Sequence, residues 1–237
     1  MLRYIGSKRW LREKVEEMIP LDTEILPSPF FGSGQVEYFV AQKRPNIRVH
    51  GSDLFRPIVN FHQHLPVDGI RQFVDNHLDL DSYKDLVKGI SEVDDRTSAI
   101  LAYVLLHFSF MGKFGTFDPS RKPISERILA PMDKLKQLQN IEVCHGDALD
   151  VLQMVRGAGQ KICLFLDPPY VTKYKDRYYG GKRQVNLAEF HEKLASAVKE
   201  TGVPFIMSIH DSEEIRELYK DFSIQSVRKR ELLISNL

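Results

Sequence analysis

The sequence predicts an α/β fold in which a doubly wound sheet carries a helical insertion. Short apolar, strand-like runs alternate with helical segments over residues 1–54 and again over 140–237. Three of these runs end in an aspartate, and the carboxyl ends of strands in an open α/β sheet are where ligands bind. Between 55 and 139 the alternation is replaced by helices and a polar loop. We therefore expect one ligand-binding α/β domain, 1–54 and 140–237, with 55–139 inserted into it.

Composition is compatible with many functions but excludes some settings. Of the 237 residues, 43% are hydrophobic and 27% are charged, as is ordinary for a soluble globular protein. Because the formal net charge is only +1, a nucleic-acid-binding surface would require local clustering of basic residues. No apolar stretch is long enough to span a bilayer, and the polar, basic N-terminus is unlike a signal peptide. We expect a cytoplasmic protein with no membrane partner.

Neither the cysteines nor the histidines predict a metal site. Cys144 and Cys163 lie in apolar runs and are expected to be core side chains rather than disulfide or zinc ligands. His62 and His64 form a pair, but no cysteine or second clustered pair accompanies them.

The N-terminal segment Tyr4-Ile5-Gly6-Ser7-Lys8 contains a glycine turn and leads into an amphipathic helix predicted over 11–18. Taken alone, this pattern is also typical of an ordered arm with a solvated lysine. A strand then follows from residue 24, with Phe30 near its end and a helix predicted over 35–44.

Two glycines and an acid mark the next part of the chain as a ligand site. Gly32 and Gly34 would let the backbone approach a ligand closely at the start of the helix. The second strand, 46–54, places Asp53 at its end, about twenty residues after the glycine turn, where an acid can accept hydrogen bonds from both ribose hydroxyls. The alternative role for Asp53 is the N-cap of the next helix.

The inserted region is predicted to recognise nucleic acid. Helices are predicted at 70–77, 83–90 and 97–110. In the polar loop that follows, basic residues interleaved with Phe114 and Phe117 could supply cations for phosphates and aromatic faces for bases. These basic residues are Lys113, Arg121 and Lys122.

The fourth strand is the centre of the predicted site. The third strand, 141–147, ends in Asp147, which could line the ligand site or cap the helix predicted at 148–155. The apolar run 162–166 then ends abruptly, because two successive prolines cannot continue ladder pairing. Asp167 and Tyr170 would thereby be delivered to the crevice outside the sheet. An ordinary Asp-Pro turn with a surface tyrosine is the alternative.

The residues of this motif suit chemistry on an adenine amine. That amine is a poor nucleophile, because its lone pair is delocalised into the ring. The carboxylate of Asp167 and the carbonyl of Pro168, held rigid by Pro169, could accept hydrogen bonds from its two hydrogens and localise the lone pair. Tyr170 could stack on the base once it has left the duplex.

The chain after the motif is basic and then returns to α/β alternation. The loop 171–183 contains several tyrosines and would cover the crevice, with cations for the DNA backbone at Lys173, Lys175 and Arg177. A helix at 187–201, a strand at 203–209, a helix at 212–219 and two strands within 222–237 complete the prediction.

The Asp167-Pro168-Pro169-Tyr170 motif, the Tyr4-x-Gly6-x-Lys8 arm and the Phe30-x-Gly32-x-Gly34 turn together resemble the Dam-like, D12 class of adenine-N6 DNA methyltransferases. The resemblance covers both ends of the chain and most of the sheet, and it is weaker in the insertion. It implies a class I (Rossmann-like) methyltransferase sheet ending in an antiparallel hairpin, with S-adenosylmethionine as cofactor and double-stranded DNA as substrate. It leaves a cognate restriction endonuclease open as a partner.

The resemblance also implies roles for individual residues. Lys8 would lie beside the methionine carboxylate of the cofactor, and Asp147 near its adenine ring. The implied cofactor-binding residues are Tyr4, Lys8, Phe30, Gly32, Gly34, Asp53, Asp147 and Asp167. Two alternatives remain, an RNA amino-methyltransferase with the same pocket and a catalytically silent nucleic-acid-binding module. The aspartate at the head of the motif favours adenine in DNA, and the intact motif argues against a silent module.

Overall fold

The computed structural model describes residues 2–158, 161–170, 187–228 and 230–237. The loop predicted over 171–183, with Lys173, Lys175 and Arg177, lies outside the described residues. Within the described ranges, no helix has the length and apolar character needed to cross a membrane.

The described residues form seven strands and ten α-helices. The strands are β1 Ile25–Ser28, β2 Arg48–Asp53, β3 Ile141–His145, β4 Leu164–Leu166, β5 Phe205–His210, β6 Ser223–Arg228 and β7 Glu231–Ser235. The helices are α1 Arg12–Met18, α2 Gln35–Lys43, α3 Arg56–His64, α4 Val67–Arg71, α5 Leu80–Gly89, α6 Asp95–His107, α7 Glu126–Asp133, α8 Ala148–Val155, α9 Leu187–Thr201 and α10 Glu213–Leu218.

The strands form two sheets that meet at the middle of the molecule. One sheet has three strands in the order β1-β2-β3, and the other has four in the order β4-β5-β7-β6. They are joined where Ile25 of β1 forms a parallel bridge with Ile162, just before β4. Strand β7 is antiparallel to both β5 and β6, whereas the other pairings are parallel. This arrangement confirms the predicted α/β sheet with its antiparallel terminal hairpin.

Strand β4 is covered on both faces, which explains its continuous apolar sequence. Cys163 and Phe165 belong to a core cluster shared with the N-terminal helices and the insertion. Leu164 and Leu166 point to the opposite cluster, packed with residues of α8, α9 and α10. The prediction that both cysteines are core residues was wrong for Cys144, which is exposed on the outermost strand β3.

The insertion contains helices that the sequence did not predict. Helix α3 begins with an Arg-Pro pair, and proline in the first turn is a helix-start signal that was overlooked. It contacts both β3 and α6, so it connects the sheet to the insertion. The first predicted helix, 70–77, was misplaced, since α4 covers Val67–Arg71. Helix α6 starts at Asp95 rather than 97 because the carboxylate of Asp94 accepts hydrogen bonds from the backbone N–H groups of residues 96 and 97.

Candidate active site

Asp167 and Lys8 form a largely buried ion pair at the carboxyl end of β4. The two prolines that follow end the strand, and the N-terminal arm crosses this edge of the sheet. Lys8 Nζ lies 2.7 Å from Asp167 Oδ1, and it also donates to the carbonyl of Gly6 at 2.9 Å. Lys8 is only 5% exposed. A buried ammonium requires a close negative partner, and Asp167 supplies it.

Tyr170 is held by a second acid in the same cluster, Glu231 at the start of β7. The phenol O–H of Tyr170 and the hydroxyl of Ser208, the latter at 2.8 Å, both donate to Glu231 Oε1. Lys8 Nζ lies 3.6 Å from the same oxygen and 4.8 Å from the centroid of the Tyr170 ring. His210 stacks on this ring with centroids 5.8 Å apart. The position of the tyrosine is therefore fixed from several sides.

Burial sets the protonation behaviour of this cluster. Desolvation raises the pKa of Asp167 to about 6, although the neighbouring Lys8 opposes the rise. Burial, with the nearby carboxylates of Asp167 and Glu231, also raises the pKa of Tyr170, so its phenol stays neutral and donates its hydrogen bond. The site thus combines a cation, a titratable acceptor and a clamped aromatic ring.

A second part of the site lies at the ends of β1 and β2. Asp53 ends β2, and its Oδ2 accepts a hydrogen bond from the backbone N–H of Gly32 at 2.9 Å. Its Oδ1 accepts one from the N–H of Phe55, also at 2.9 Å. Gly32 and Gly34 both have positive φ, and the ring of Tyr4 lies over Gly32 at 3.2 Å from where a Cβ would be. The acid and the glycine turn predicted from the sequence are thus in direct contact.

This part of the site has the chemistry that a nucleoside-containing cofactor requires. Both oxygens of Asp53 keep a free lone pair for a ribose hydroxyl after accepting one backbone hydrogen bond each. The N-cap of α3 is Phe55, so Asp53 is not the helix cap that was the alternative role. Burial raises its pKa, with the backbone N–H groups of Phe55 and Gly32 opposing that rise. The residues present therefore fit the cofactor that the resemblance implies.

The remaining predicted cofactor residues have visible structural roles. Asp147 caps α8, accepting a hydrogen bond from the N–H of Leu149 at 2.9 Å. The helix-cap role left open by the sequence is therefore present in the fold, while a contact to the adenine ring stays a prediction. Phe30 packs edge-on against Phe190 of α9, with centroids 6.2 Å apart.

Two further buried polar groups support the site and were missed by sequence reasoning. Glu37 of α2 is 3% exposed, and its Oε1 accepts a hydrogen bond from Ser28 at 2.6 Å. Burial raises its pKa to about 7. His191 of α9 is fully buried, and its Nε2 lies 2.7 Å from the carbonyl of Pro169, which anchors the motif from below. Both residues look like ordinary helix positions in the sequence.

Glu231 is the most informative of the missed residues. It stands at the head of the Glu231–Ser235 strand, and an acid opening a buried strand was the available signal. Its contact with Tyr170 spans 61 positions along the chain, so local pattern alone could not reveal it.

The predicted DNA-binding residues of the insertion differ in exposure. Arg121 Nε donates to the carbonyl of His107 at 3.0 Å, and Lys122 is exposed. Lys113 is half-buried. Phe114 packs edge-on against Phe55 and Phe117 against Tyr83, so these rings stabilise the insertion loop itself.

The chain matches one protein family over most of its length. The D12 class N6 adenine-specific DNA methyltransferase family matches residues 4–90 and 108–232. A DNA adenine methylase of Vibrio cholerae serotype O1 is 23% identical over 263 residues, covering 99% of this chain and 90% of that protein. The type II methyltransferase M1.LlaDCHI of Lactococcus lactis subsp. cremoris is 22% identical over 256 residues, covering 95% and 86%.

Solved structures give more distant matches. The rRNA methyltransferase aviRa from Streptomyces viridochromogenes aligns with a TM-score of 0.44 and 12% identity, over 98% of this chain and 86% of that chain. Fibrillarin of Aeropyrum pernix, in complex with S-adenosyl-L-methionine, aligns with a TM-score of 0.41 and 11% identity, over 96% and 73%.

Proposed function

Because the chain belongs to the D12 class of N6 adenine-specific DNA methyltransferases, we propose that the cluster of Lys8, Asp167, Tyr170 and Glu231 is its active site. The enzyme transfers a methyl group from S-adenosylmethionine to the N6 amine of adenine in DNA. The observation that carries the assignment is the 2.7 Å pair between the buried Lys8 and Asp167, placed where β4 ends in two prolines.

The cofactor supplies an electrophilic methyl group on a sulfonium centre. Asp53 would hold the ribose hydroxyls, and the turn at Gly32 and Gly34 would receive the cofactor without a side chain in the way. Tyr4 lies over this turn and would close it. Two further contacts remain predictions from the resemblance. Lys8 would contact the carboxylate of the cofactor, and Asp147 would contact its adenine ring.

Asp167 and the carbonyl of Pro168 would accept hydrogen bonds from the two hydrogens of the target amine. These bonds localise the nitrogen lone pair and stabilise the positive charge that develops as the new N–C bond forms. Lys8 favours the ionised form of Asp167, which is the stronger hydrogen-bond acceptor. With a pKa of about 6, Asp167 is also suited to receive the proton that the nitrogen then loses.

Tyr170 would stack on the target adenine after the base has left the duplex. Glu231, which also accepts a hydrogen bond from Ser208, fixes its phenol, and His210 stacks on its ring. A ring held in this way loses little conformational freedom on binding a base, so more of the stacking energy is available for capture.

The insertion, with Lys113, Arg121 and Lys122, is proposed to position the DNA. A cognate restriction endonuclease belongs to the proposal as a partner, because one relative is named a type II methyltransferase.

Transfer of labelled methyl from S-adenosylmethionine to unmethylated genomic DNA, with total RNA in parallel, tests the proposal. We expect N6-methyladenine in DNA, its loss in Asp167→Ala, and normal activity in Asp150→Ala, an exposed acid on α8. Label recovered only in RNA would overturn the proposed substrate. Substantial activity of Asp167→Ala would remove Asp167 from the catalytic site.

A further inference from the structure

A groove lined by five arginines runs between the N-terminal arm, α2 and the insertion. Its volume is about 570 Å³, and none of the described residues that line it is acidic. The arginines come from the arm, the start of α1, the insertion loop and α7. They are Arg3, Arg9, Arg12, Arg121 and Arg127.

These positive charges are only weakly compensated. Arg12 lies 3.6 Å from the exposed Glu13 and packs over the Phe39 ring at 4.6 Å. Arg121 donates through Nε to a backbone carbonyl. Burial and repulsion from Arg3 lower its pKa, and the carboxylate of Asp118 opposes only part of that fall. Because the whole chain carries a formal charge of only +1, such a concentration of like charge is local. A bound anion would relieve the repulsion.

The groove adjoins the proposed cofactor site, because Tyr4 lines the groove and also lies over Gly32. Arg3 and Arg9 flank Lys8 in the arm, and Lys8 is paired with Asp167. Gln35, another lining residue, directly follows the glycine turn. A strand of DNA whose target base enters the site would bring its neighbouring phosphates to this edge. Guanidinium groups match phosphate oxygens in two-point geometry, which ammonium groups cannot do.

We propose that this arginine groove binds backbone phosphates of the DNA strand next to the target adenine. The inference rests on the proposed function, since it takes DNA as the substrate. It adds a contact surface beyond the sequence-predicted basic residues; among those of them that the structure describes, only Arg121 lines the groove. Its contribution would be to affinity and orientation rather than to the choice of base.

The test uses Arg9→Ala and Arg127→Ala, because both side chains are exposed and their loss leaves the core intact. Binding of a fluorescently labelled duplex is measured by anisotropy over a range of NaCl concentrations. We expect each variant to weaken DNA binding several-fold. The slope of log K against log salt should become less steep by about 1, the change expected for the loss of one phosphate contact. Arg127→Lys should restore the slope.

Controls separate this proposal from the proposed function. Arg156→Ala, in an exposed pair with Glu200 beyond α8, should bind DNA like the wild type. Affinity for S-adenosylmethionine and the methylated site should be unchanged in both groove variants. If the two groove variants kept the wild-type affinity and slope, or bound more weakly with an unaltered slope, the proposed phosphate-binding role of the groove would be wrong. DNA methylation by the wild type would not be affected by that result.

Discussion

At the scale of single residues, the site depends on an acid that must be charged in a place that disfavours charge. Asp167 is delivered by a strand buried on both faces, and desolvation there raises its pKa to about 6. Lys8 lies 2.7 Å away and offsets part of that cost. The motif could be predicted from the sequence because its two prolines end the strand at a definite residue. Its pairing with Lys8 could not, since the two residues lie far apart in the chain.

The pH dependence of methyl transfer follows from this pair. Ionised Asp167 is the stronger acceptor for the N–H of the target amine and the form that can take up its proton, so the single-turnover rate should rise as pH increases through about 6. Lys8→Met removes the nearby positive charge, and the rise should move to higher pH. Lys14→Met, on the neighbouring helix α1, serves as the matched control and should keep the wild-type midpoint. An unchanged midpoint in Lys8→Met would mean that Lys8 does not control this carboxylate.

Glu231 should act on base capture through Tyr170. Tyr170→Phe removes the phenol hydroxyl and so breaks the hydrogen bond to Glu231, whereas Glu231→Gln removes the charge of the acceptor and so weakens the same bond. We expect each single variant to raise KM for DNA by about tenfold, with a coupling of roughly 1 kcal/mol that makes the double variant less than additive. Fluorescence of 2-aminopurine at the target position reports the capture step, while the dissociation constant for S-adenosylmethionine should not move.

Glu217→Gln provides the control for this cycle, because Glu217 is an exposed acid paired with Lys220 far from the site. Strict additivity of the two substitutions would show that Glu231 does not hold Tyr170 in solution.

At the scale of secondary-structure elements, the strands and most helices of the catalytic domain could be predicted from the spacing of apolar residues and from the residues that begin or end each element. Helix α8 begins and ends at the residues predicted, and helix α9 ends at Thr201 as predicted. Helix α3 was missed because its sequence is rich in polar side chains. These become buried when the helix packs against its neighbours, as with His62, which lies between the hydroxyl of Tyr38 and the carbonyl of Gly32. The proline in the first turn was the local signal for the helix, whereas the burial of its polar side chains depends on tertiary contacts.

Glu37 of helix α2 should make the free energy of unfolding depend on pH. Glu37 has its pKa raised from 4.5 to about 7 by burial, so the folded state binds its proton more tightly than the unfolded state. Between these pH values the folded protein therefore loses stability as pH rises, by up to roughly 3 kcal/mol. Glu37→Gln cannot ionise and keeps an oxygen for the Ser28 hydroxyl. It should be more stable than the wild type at pH 8.

Urea unfolding at pH 5 and pH 8 measures this effect. The advantage of Glu37→Gln over the wild type should be clearly larger at pH 8. Glu13→Gln, an exposed acid of α1, should show no such difference between the two conditions. The same stability difference at both pH values would contradict a buried, titrating Glu37.

At the scale of the whole molecule, the sheet order brings together residues that are distant in the chain. The edge strands β1 and β4 of the two sheets meet at the bridge between Ile25 and Ile162. The glycine turn after β1 therefore lies next to the motif after β4. This neighbourhood could be predicted from the fold class and the acid-terminated strands. The second carboxylate of the cluster could not, because Glu231 begins its strand instead of ending it and reaches this edge of the sheet through the register of β7 with β5.

Binding of the cofactor should stabilise the entire fold, since it closes a site built from several strands. Free cofactor at about one hundred times its dissociation constant contributes roughly 2.7 kcal/mol to the free energy of unfolding, which appears as a higher Tm. Asp53→Asn retains one oxygen for the backbone N–H groups but loses the charge and an acceptor for ribose. Its Tm should therefore rise much less on adding S-adenosylmethionine, whatever its starting value. Asp150→Asn should rise like the wild type, and an equal rise in Asp53→Asn would place the ribose elsewhere.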